Sequence, residues 1–261
     1  TAHQHHRRLY KRHVARFLCP SRFYRDKYAA WGYPAERLEH LPNFVDAAAW
    51  RPEGPPATDP CYLYFGRISA EKGLADLLAA QRLWEDEAAA ASARPGAPGG
   101  AAAGGAGPGG AEAVPRLLVA GSGPWDGELR RRAAALGLRR VEILGPLAGA
   151  ALRAAVARAR FTVVPSTWYE NAPLAVLESM AAGRPVAGAA IGGVPELIAD
   201  GEDGVLFPPG DPPALLAGLR RALALGPEAG ARARAKTERL WSRPAHMARL
   251  QAILKETAAG R

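Results

Sequence analysis

Between residues 61 and 225 the chain alternates short apolar runs with stretches of helical spacing, and this alternation constrains the fold more than any other feature. The apolar runs fall at 61–65, 116–120, 141–144, 161–165, 185–189 and 204–207, and most stop at a glycine or proline. Helical spacing follows at 73–91, where Leu74, Leu77, Leu78, Gln81 and Leu83 share a face, and then at 128–136, 148–159, 173–182, 193–199 and 212–225. Runs such as Cys61-Tyr-Leu-Tyr-Phe65 do not alternate apolar with polar, so both faces of the strand must be covered. The pattern predicts an α/β fold, a Rossmann-like doubly wound parallel sheet over about residues 58–225. Such a sheet binds its ligand beyond the carboxyl ends of its strands.

One segment breaks the pattern. Residues 88–113 are Ala, Gly and Pro apart from Ser92, Arg94 and Glu112, with almost nothing to bury. They predict a disordered insertion between a helix and the next strand, not a domain boundary. Elsewhere, 48% hydrophobic and 23% charged residues fit a soluble globular chain. No apolar run nears the roughly 20 residues of a membrane span, and the His- and Arg-rich first residues lack the apolar core of a signal peptide. Cys19 and Cys61 are too few for a disulfide framework, and His3, His5, His6 and His13 have no metal-ligand spacing around Cys19.

The net charge of +9 sits at the ends: +7 over residues 1–25, +7 over 214–261 and −5 between them. No zinc-finger spacing, aromatic RNA-binding motif or basic helix leading into heptads accompanies it, so no nucleic-acid partner is expected. Solvated helix faces explain most of this charge. Peripheral contact with an anionic membrane surface, worth about 1 kcal/mol per basic residue, is the alternative.

Three motifs fall where strands end. Gly66-Arg67-Ile-Ser-Ala-Glu-Lys72 offers an arginine fork and a lysine point charge, a combination suited to a diphosphate. Glu170-Asn-Ala-Pro-Leu-Ala-Val-Leu-Glu178 places two carboxylates around a helix start, with Pro173 in its first turn. The amides of Asn171, Ala172 and Leu174 are then free to meet an anion, and Glu178 can accept from vicinal hydroxyls. Gly192-Gly193-Val-Pro-Glu196 is a second glycine-rich turn, where Glu196 reads as a group that meets a helix start. The glycines at 66, 121, 123 and 145 mark close backbone approach by a ligand. Gly121-Ser-Gly123 has Asp126 where a dinucleotide fingerprint needs its third glycine, and no phosphate-binding loop ending in Gly-Lys-Ser/Thr occurs.

The runs YLYFGRISAEKG, LLVAGSGP, FTVVPSTWYENAPLAVLESMAAGRPV and GGVPELIADGEDGVLFPPGD, in this order and spacing, resemble the carboxyl-terminal half of the retaining GT-B glycosyltransferases of family 4, glycosyl transferases group 1. The resemblance implies that Glu170 and Glu178 form the E-x7-E motif of a donor site. Glu170 would face the transferred sugar and Glu178 the nucleotide ribose. Arg67, Lys72 and Glu170 are thereby the implied catalytic residues, the two basic groups stabilising the departing diphosphate. The implied donor-binding set is Gly66, Gly121, Gly123, Ile143, Leu144, Gly145, Asn171, Ala172, Leu174 and Glu178, with residues 143–145 bordering the base. It also implies a nucleotide diphosphate sugar as co-substrate, no other cofactor and no metal; no D-x-D motif is present.

Residues 17–46 resemble the last strand and helix of the family's amino-terminal domain and the linker that follows, and residues 241–255 resemble the terminal helix that returns to it. The expected organisation is therefore 1–46 as a remnant of the acceptor domain and linker, 47–240 as the donor domain, and 241–261 as the returning helix. The acceptor domain's glycine-rich loop and active-site histidine are absent. The chain is thus expected to be a fragment, a truncated product or one subunit of a split enzyme, with a non-catalytic nucleotide-sugar-binding subunit as the alternative. The partners expected are the missing amino-terminal domain and a lipid-linked or glycan acceptor. The expected setting is polysaccharide or glycolipid synthesis in the cytoplasm or at the inner face of the membrane.

Overall fold

A computed structural model describes residues 10–51, 60–93 and 114–259. Its centre is a six-stranded sheet in which every pairing is parallel. Along the chain the strands are β3 (Cys61–Phe65), β4 (Arg116–Ala120), β5 (Val141–Gly145), β6 (Phe161–Val164), β7 (Val186–Ala189) and β8 (Gly204–Phe207). Their spatial order is β5-β4-β3-β6-β7-β8. The order reverses between β3 and β6, so the crevice above their carboxyl ends is the switch point where doubly wound sheets bind ligands.

Helices cover both faces, as the apolar strands require. All five residues of β3 are buried. Tyr62 and Tyr64 face a core that includes Leu74, Leu77, Leu78 and Trp84 of α2 (Leu74–Ser92), Leu129 of α3 (Asp126–Ala135), and Leu215 and Leu219 of α7 (Pro212–Leu223). Cys61, Leu63 and Phe65 face the other way, against Ala155 and Val156 of α4 (Gly149–Arg158). A third cluster joins β6 and β7 to Val176, Leu177 and Met180 of α5 (Leu174–Ala181), and to Val194 and Leu197 of the single turn α6 (Val194–Leu197). Each fully buried leucine here contributes about 1.5–3 kcal/mol. Gln81 lies on the apolar stripe of α2 because it has a buried partner, the Tyr62 hydroxyl, which donates to its Oε1 at 2.7 Å.

A second, two-stranded parallel sheet pairs β1 (Phe17–Cys19) with β2 (Leu38–His40), joined by α1 (Arg22–Ala30). The carboxyl-terminal helices α8 (Pro227–Leu240) and α9 (Arg243–Ala259) complete the chain. Helix α9 meets the amino-terminal segment directly: Arg249 pairs with Glu39 at 2.8 Å, and His246 Nδ1 lies 2.8 Å from the Pro42 carbonyl. Val45 bridges to Ser242 and donates its amide to the Trp241 carbonyl.

The structure corrects the expectations in places. Residues 88–92, assigned to the disordered insertion, belong to α2, because a run of alanines favours helix strongly enough to extend it; residues 94–113 lie outside the described residues, as do His3, His5 and His6. The helix expected at 193–199 closes after one turn. Pro173 is the residue before α5, not a member of its first turn. No described helix is long and apolar enough to cross a membrane.

Candidate donor-binding site

The loops above β3, β4 and β6 converge on the switch point. Above β3 the chain passes through Gly66 and Arg67 into a short 3-10 turn (Ala70–Lys72) that ends on Gly73. Gly73 has a positive φ of 69°, and a Cβ there would lie 1.9 Å from the Pro165 carbonyl oxygen, so only glycine lets this turn rest on the end of β6. The Thr167 amide donates to the Glu71 carbonyl at 3.0 Å and ties the two loops together.

The same contact brings Lys72 to Glu170. The lysine Nζ donates to Glu170 Oε1 at 2.6 Å, and the buried Ser166 hydroxyl donates to the same oxygen. Only 14% of the Glu170 side chain is exposed, which shields the pair from solvent screening. Burial first, then the charges of Glu170 and Glu71, push the Tyr64 phenol well above its ordinary range; its hydroxyl donates to the Arg67 carbonyl at 2.6 Å and steadies the β3 loop.

An open cavity of about 520 Å³ at the strand ends is lined among others by Arg67, Gly121, Pro146, Leu174 and Glu178. The Arg67 side chain is exposed there with no hydrogen-bond partner among the described residues. Glu178, one turn into α5, also has none, and burial raises its carboxyl above the ordinary glutamate value. An unpaired, half-buried carboxylate costs stability, which makes it conspicuous on a helix otherwise packed with Val, Leu and Met. The amides of Asn171, Ala172 and Leu174 have no acceptor among the described residues.

Of the residues singled out from sequence, Gly66, Arg67, Gly121, Leu174 and Glu178 line this cavity, whereas Lys72 and Glu170 form an ion pair that does not line it. Gly123 does not reach the cavity. A Cβ at Gly121 would lie 1.8 Å from the Gly66 oxygen, and one at Gly123 would lie 2.1 Å from the Ile68 oxygen. The close approach that these glycines permit is therefore to the chain's own backbone. Ile143, Leu144 and Gly145 belong to β5, and Pro146 and Leu147 beyond them line the cavity instead. The Asn171 side chain turns away, its Oδ1 accepting from Ser21 Oγ at 2.9 Å, and Ala172 faces a separate cavity. Sequence reasoning places Pro146 and Ser166 at strand ends without giving either a role, and it misses Leu147; the position of Ser166, four residues before Glu170, was the available signal for its role. No cluster of three or more metal-ligating side chains occurs among the described residues.

Residues 110–224 match the family described as Glycosyl transferases group 1. The glycogen synthase of Mycobacterium tuberculosis is 34% identical over 209 residues, 77% of this chain and 43% of that one. The alpha-D-kanosaminyltransferase of Streptomyces kanamyceticus is 31% identical over 165 residues, 63% of this chain and 36% of that one. The crystal structure of Anabaena HepE in complex with UDP superposes with a TM-score of 0.76 at 19% identity, over 95% of this chain and 66% of that one. The fold is thus the Rossmann-like α/β fold of GT-B glycosyltransferase structures, and residues 110–224 are similar to the glycosyl transferases group 1 family. The chain spans less than half the length of these two curated relatives.

Proposed function

We propose that this chain is the donor-binding half of a retaining, metal-independent glycosyltransferase of family 4, taking a sugar from a nucleotide diphosphate sugar to a hydroxyl acceptor. The observation that carries the reading is that one cavity at the switch point is lined both by Arg67, which has no hydrogen-bond partner among the described residues, and by an unpartnered, half-buried Glu178. A cation and a carboxylate able to accept from hydroxyls, lining one cavity, suit a diphosphate and a ribose, and structures of Anabaena HepE with UDP and with UDP-glucose lend the fold a precedent.

In this reading the diphosphate lies between the Arg67 guanidinium and the free amides at the start of α5, which together neutralise the charge developing on the leaving group. Lys72, held by Glu170, adds a second positive charge beside it. Glu178 accepts from the ribose hydroxyls, and Glu170 orients the transferred sugar. Neither carboxylate is a nucleophile. The acceptor hydroxyl attacks the anomeric carbon on the face that the diphosphate leaves. The glycosyl C–O bond breaks with its electron pair passing to the diphosphate, and the acceptor proton goes to a departing phosphate oxygen, so the configuration is retained. The acceptor is bound chiefly by a preceding domain. The basic amino- and carboxyl-terminal regions suit an acceptor at an anionic membrane surface on the cytoplasmic side, as in lipid-linked or polysaccharide synthesis.

Calorimetric titration with UDP, GDP and ADP tests the donor site. Binding of one nucleotide, weakened at least tenfold by Arg67→Ala and by Glu178→Ala, is the expected result. Binding that is indifferent to both substitutions would overturn the assignment.

A further inference from the structure

The loop that carries Glu170 is held by two hydrogen bonds from the amino-terminal segment, and Glu196 in turn anchors that segment. Ser21, 2% exposed, caps α1 by accepting from the Tyr24 amide at 3.2 Å and donates its hydroxyl to Asn171 Oδ1 at 2.9 Å. Asn43 Nδ2 donates to the Ala172 carbonyl at 2.9 Å. Glu196 completes the ring. Its two carboxylate oxygens accept from the amides of Arg22 and Phe23 at 2.8 and 2.7 Å, the first free donors of α1. The helix start that Glu196 meets therefore lies 174 residues away. A carboxylate at a helix N-terminus gains from both the charge-assisted bonds and the helix dipole.

Gly192 and Gly193 make the ring possible. Gly193 donates its amide to the Glu170 carbonyl at 2.7 Å. A Cβ on Gly192 would lie 2.2 Å from that same carbonyl oxygen, and one on Gly193 would lie 1.8 Å from the Asn171 oxygen and 2.9 Å from Ser21 Cβ. Residues 170–172 are thus clamped between the Gly-Gly turn on one side and α1 with Asn43 on the other.

From this arrangement we infer that Glu196, Ser21 and Asn43 are positioning residues for Glu170, a latch by which the amino-terminal segment sets the sugar end of the donor site. The inference rests on the proposed donor reading for what Glu170 does, and on the contacts alone for what holds it. Releasing the latch frees residues 170–172 while leaving Arg67, Glu178 and the strand ends in place. Its signature is a selective one: affinity for the nucleotide is kept, and the additional affinity contributed by the sugar is lost.

The test measures the full chain and its Glu196→Gln and Ser21→Ala variants in two ways. Calorimetry compares UDP with UDP-glucose, and hydrogen exchange follows peptides covering 166–174 and 22–30 without nucleotide. Both variants are expected to bind UDP within about twofold of the parent, to lose the affinity advantage of UDP-glucose at least fivefold, and to exchange faster at 166–174. Faster exchange confined to 22–30, with the UDP-glucose to UDP ratio unchanged, would reduce Glu196 to a helix cap and overturn the latch. If the parent chain binds neither ligand, the donor reading fails by itself, and the exchange at 166–174 alone decides whether the amino-terminal segment holds the loop.

Discussion

The two walls of the switch-point crevice are built by different means. The wall above β3 and β4 is backbone laid on backbone: Ile68 donates to the Ser122 carbonyl at 2.9 Å, Trp125 to the Ile68 carbonyl at 3.2 Å, and glycines at 121 and 123 leave no gap for a side chain. Every one of these contacts lies within the six-stranded unit. The opposite wall, from Ser166 to Glu178, begins as an irregular loop whose shape depends on Ser21, Asn43 and the Gly192-Gly193 turn. On the proposed donor reading, a rigid wall presents Arg67 to the diphosphate, and a dependent wall presents Glu170 to the sugar. On the same reading, nucleotide binding is expected of the six-stranded unit alone, while sugar positioning is expected to require the amino-terminal segment.

That contrast breaks most visibly at the glycines. Gly121→Ala forces a Cβ onto the Gly66 oxygen at a φ of 151° that L-residues rarely adopt, inside a wall with no freedom to yield. A loss of about 3 kcal/mol in denaturant unfolding is expected, with nucleotide binding lost as well. Arg67→Ala removes the proposed contact to the diphosphate from the same wall without disturbing its packing. About 2 kcal/mol of UDP affinity is expected to go while thermal stability stays unchanged; a matching fall in stability would show that Arg67 is structural.

Gly193→Ala sharpens the contrast from the other side. Its Cβ collides with Asn171, but an irregular loop yields more readily than stacked strand ends. A stability loss of about 1 kcal/mol, smaller than that of Gly121→Ala, is expected together with a weakened preference for UDP-glucose over UDP. Equal stability losses at the two glycines would erase the distinction between the walls.

The smallest effect concerns Glu178. Burial raises its folded-state pKa, so the stability linked to its proton is fully present below the ordinary glutamate value and is lost as pH rises through the raised value. Glu178→Gln is accordingly expected to raise the melting temperature at pH 7 by a degree or two, with the gain vanishing near pH 4, while UDP binding weakens. A variant less stable than the parent at pH 7 would contradict the unpaired state of this carboxylate.

The strands of the main sheet were legible because two-sided burial writes itself as unbroken apolar runs, as in Cys61–Phe65. Helix α8 was not, because the face it buries is made of Ala229, Gly230 and Ala233, too small to give an apolar stripe. Gly230 shows why they are small: a Cβ there would lie 2.2 Å from the Gly183 oxygen. Strand β2, Leu-Glu-His, has no hydrophobic run at all and exists because β1 pairs with it. In the site, Arg67, Lys72, Glu170 and Glu178 are chosen through the family resemblance of their motifs, because by themselves such charged groups read equally well as solvated surface. The role of Gly121 and Gly123 could not be read from sequence, since a glycine reserved for a ligand and one reserved for a neighbouring strand look alike until the neighbour is known. Nor could the long-range partners, Ser21 with Asn171 and Glu196 with α1, because contacts across 150 or more residues leave no local spacing.

A diffraction structure of the chain soaked with UDP tests the central claim most directly. The account predicts a diphosphate between the Arg67 guanidinium and the amides at the start of α5, with the ribose hydroxyls against Glu178. UDP seated away from the crevice between β3 and β6, or bound there with Glu178 turned from the ribose, would contradict it.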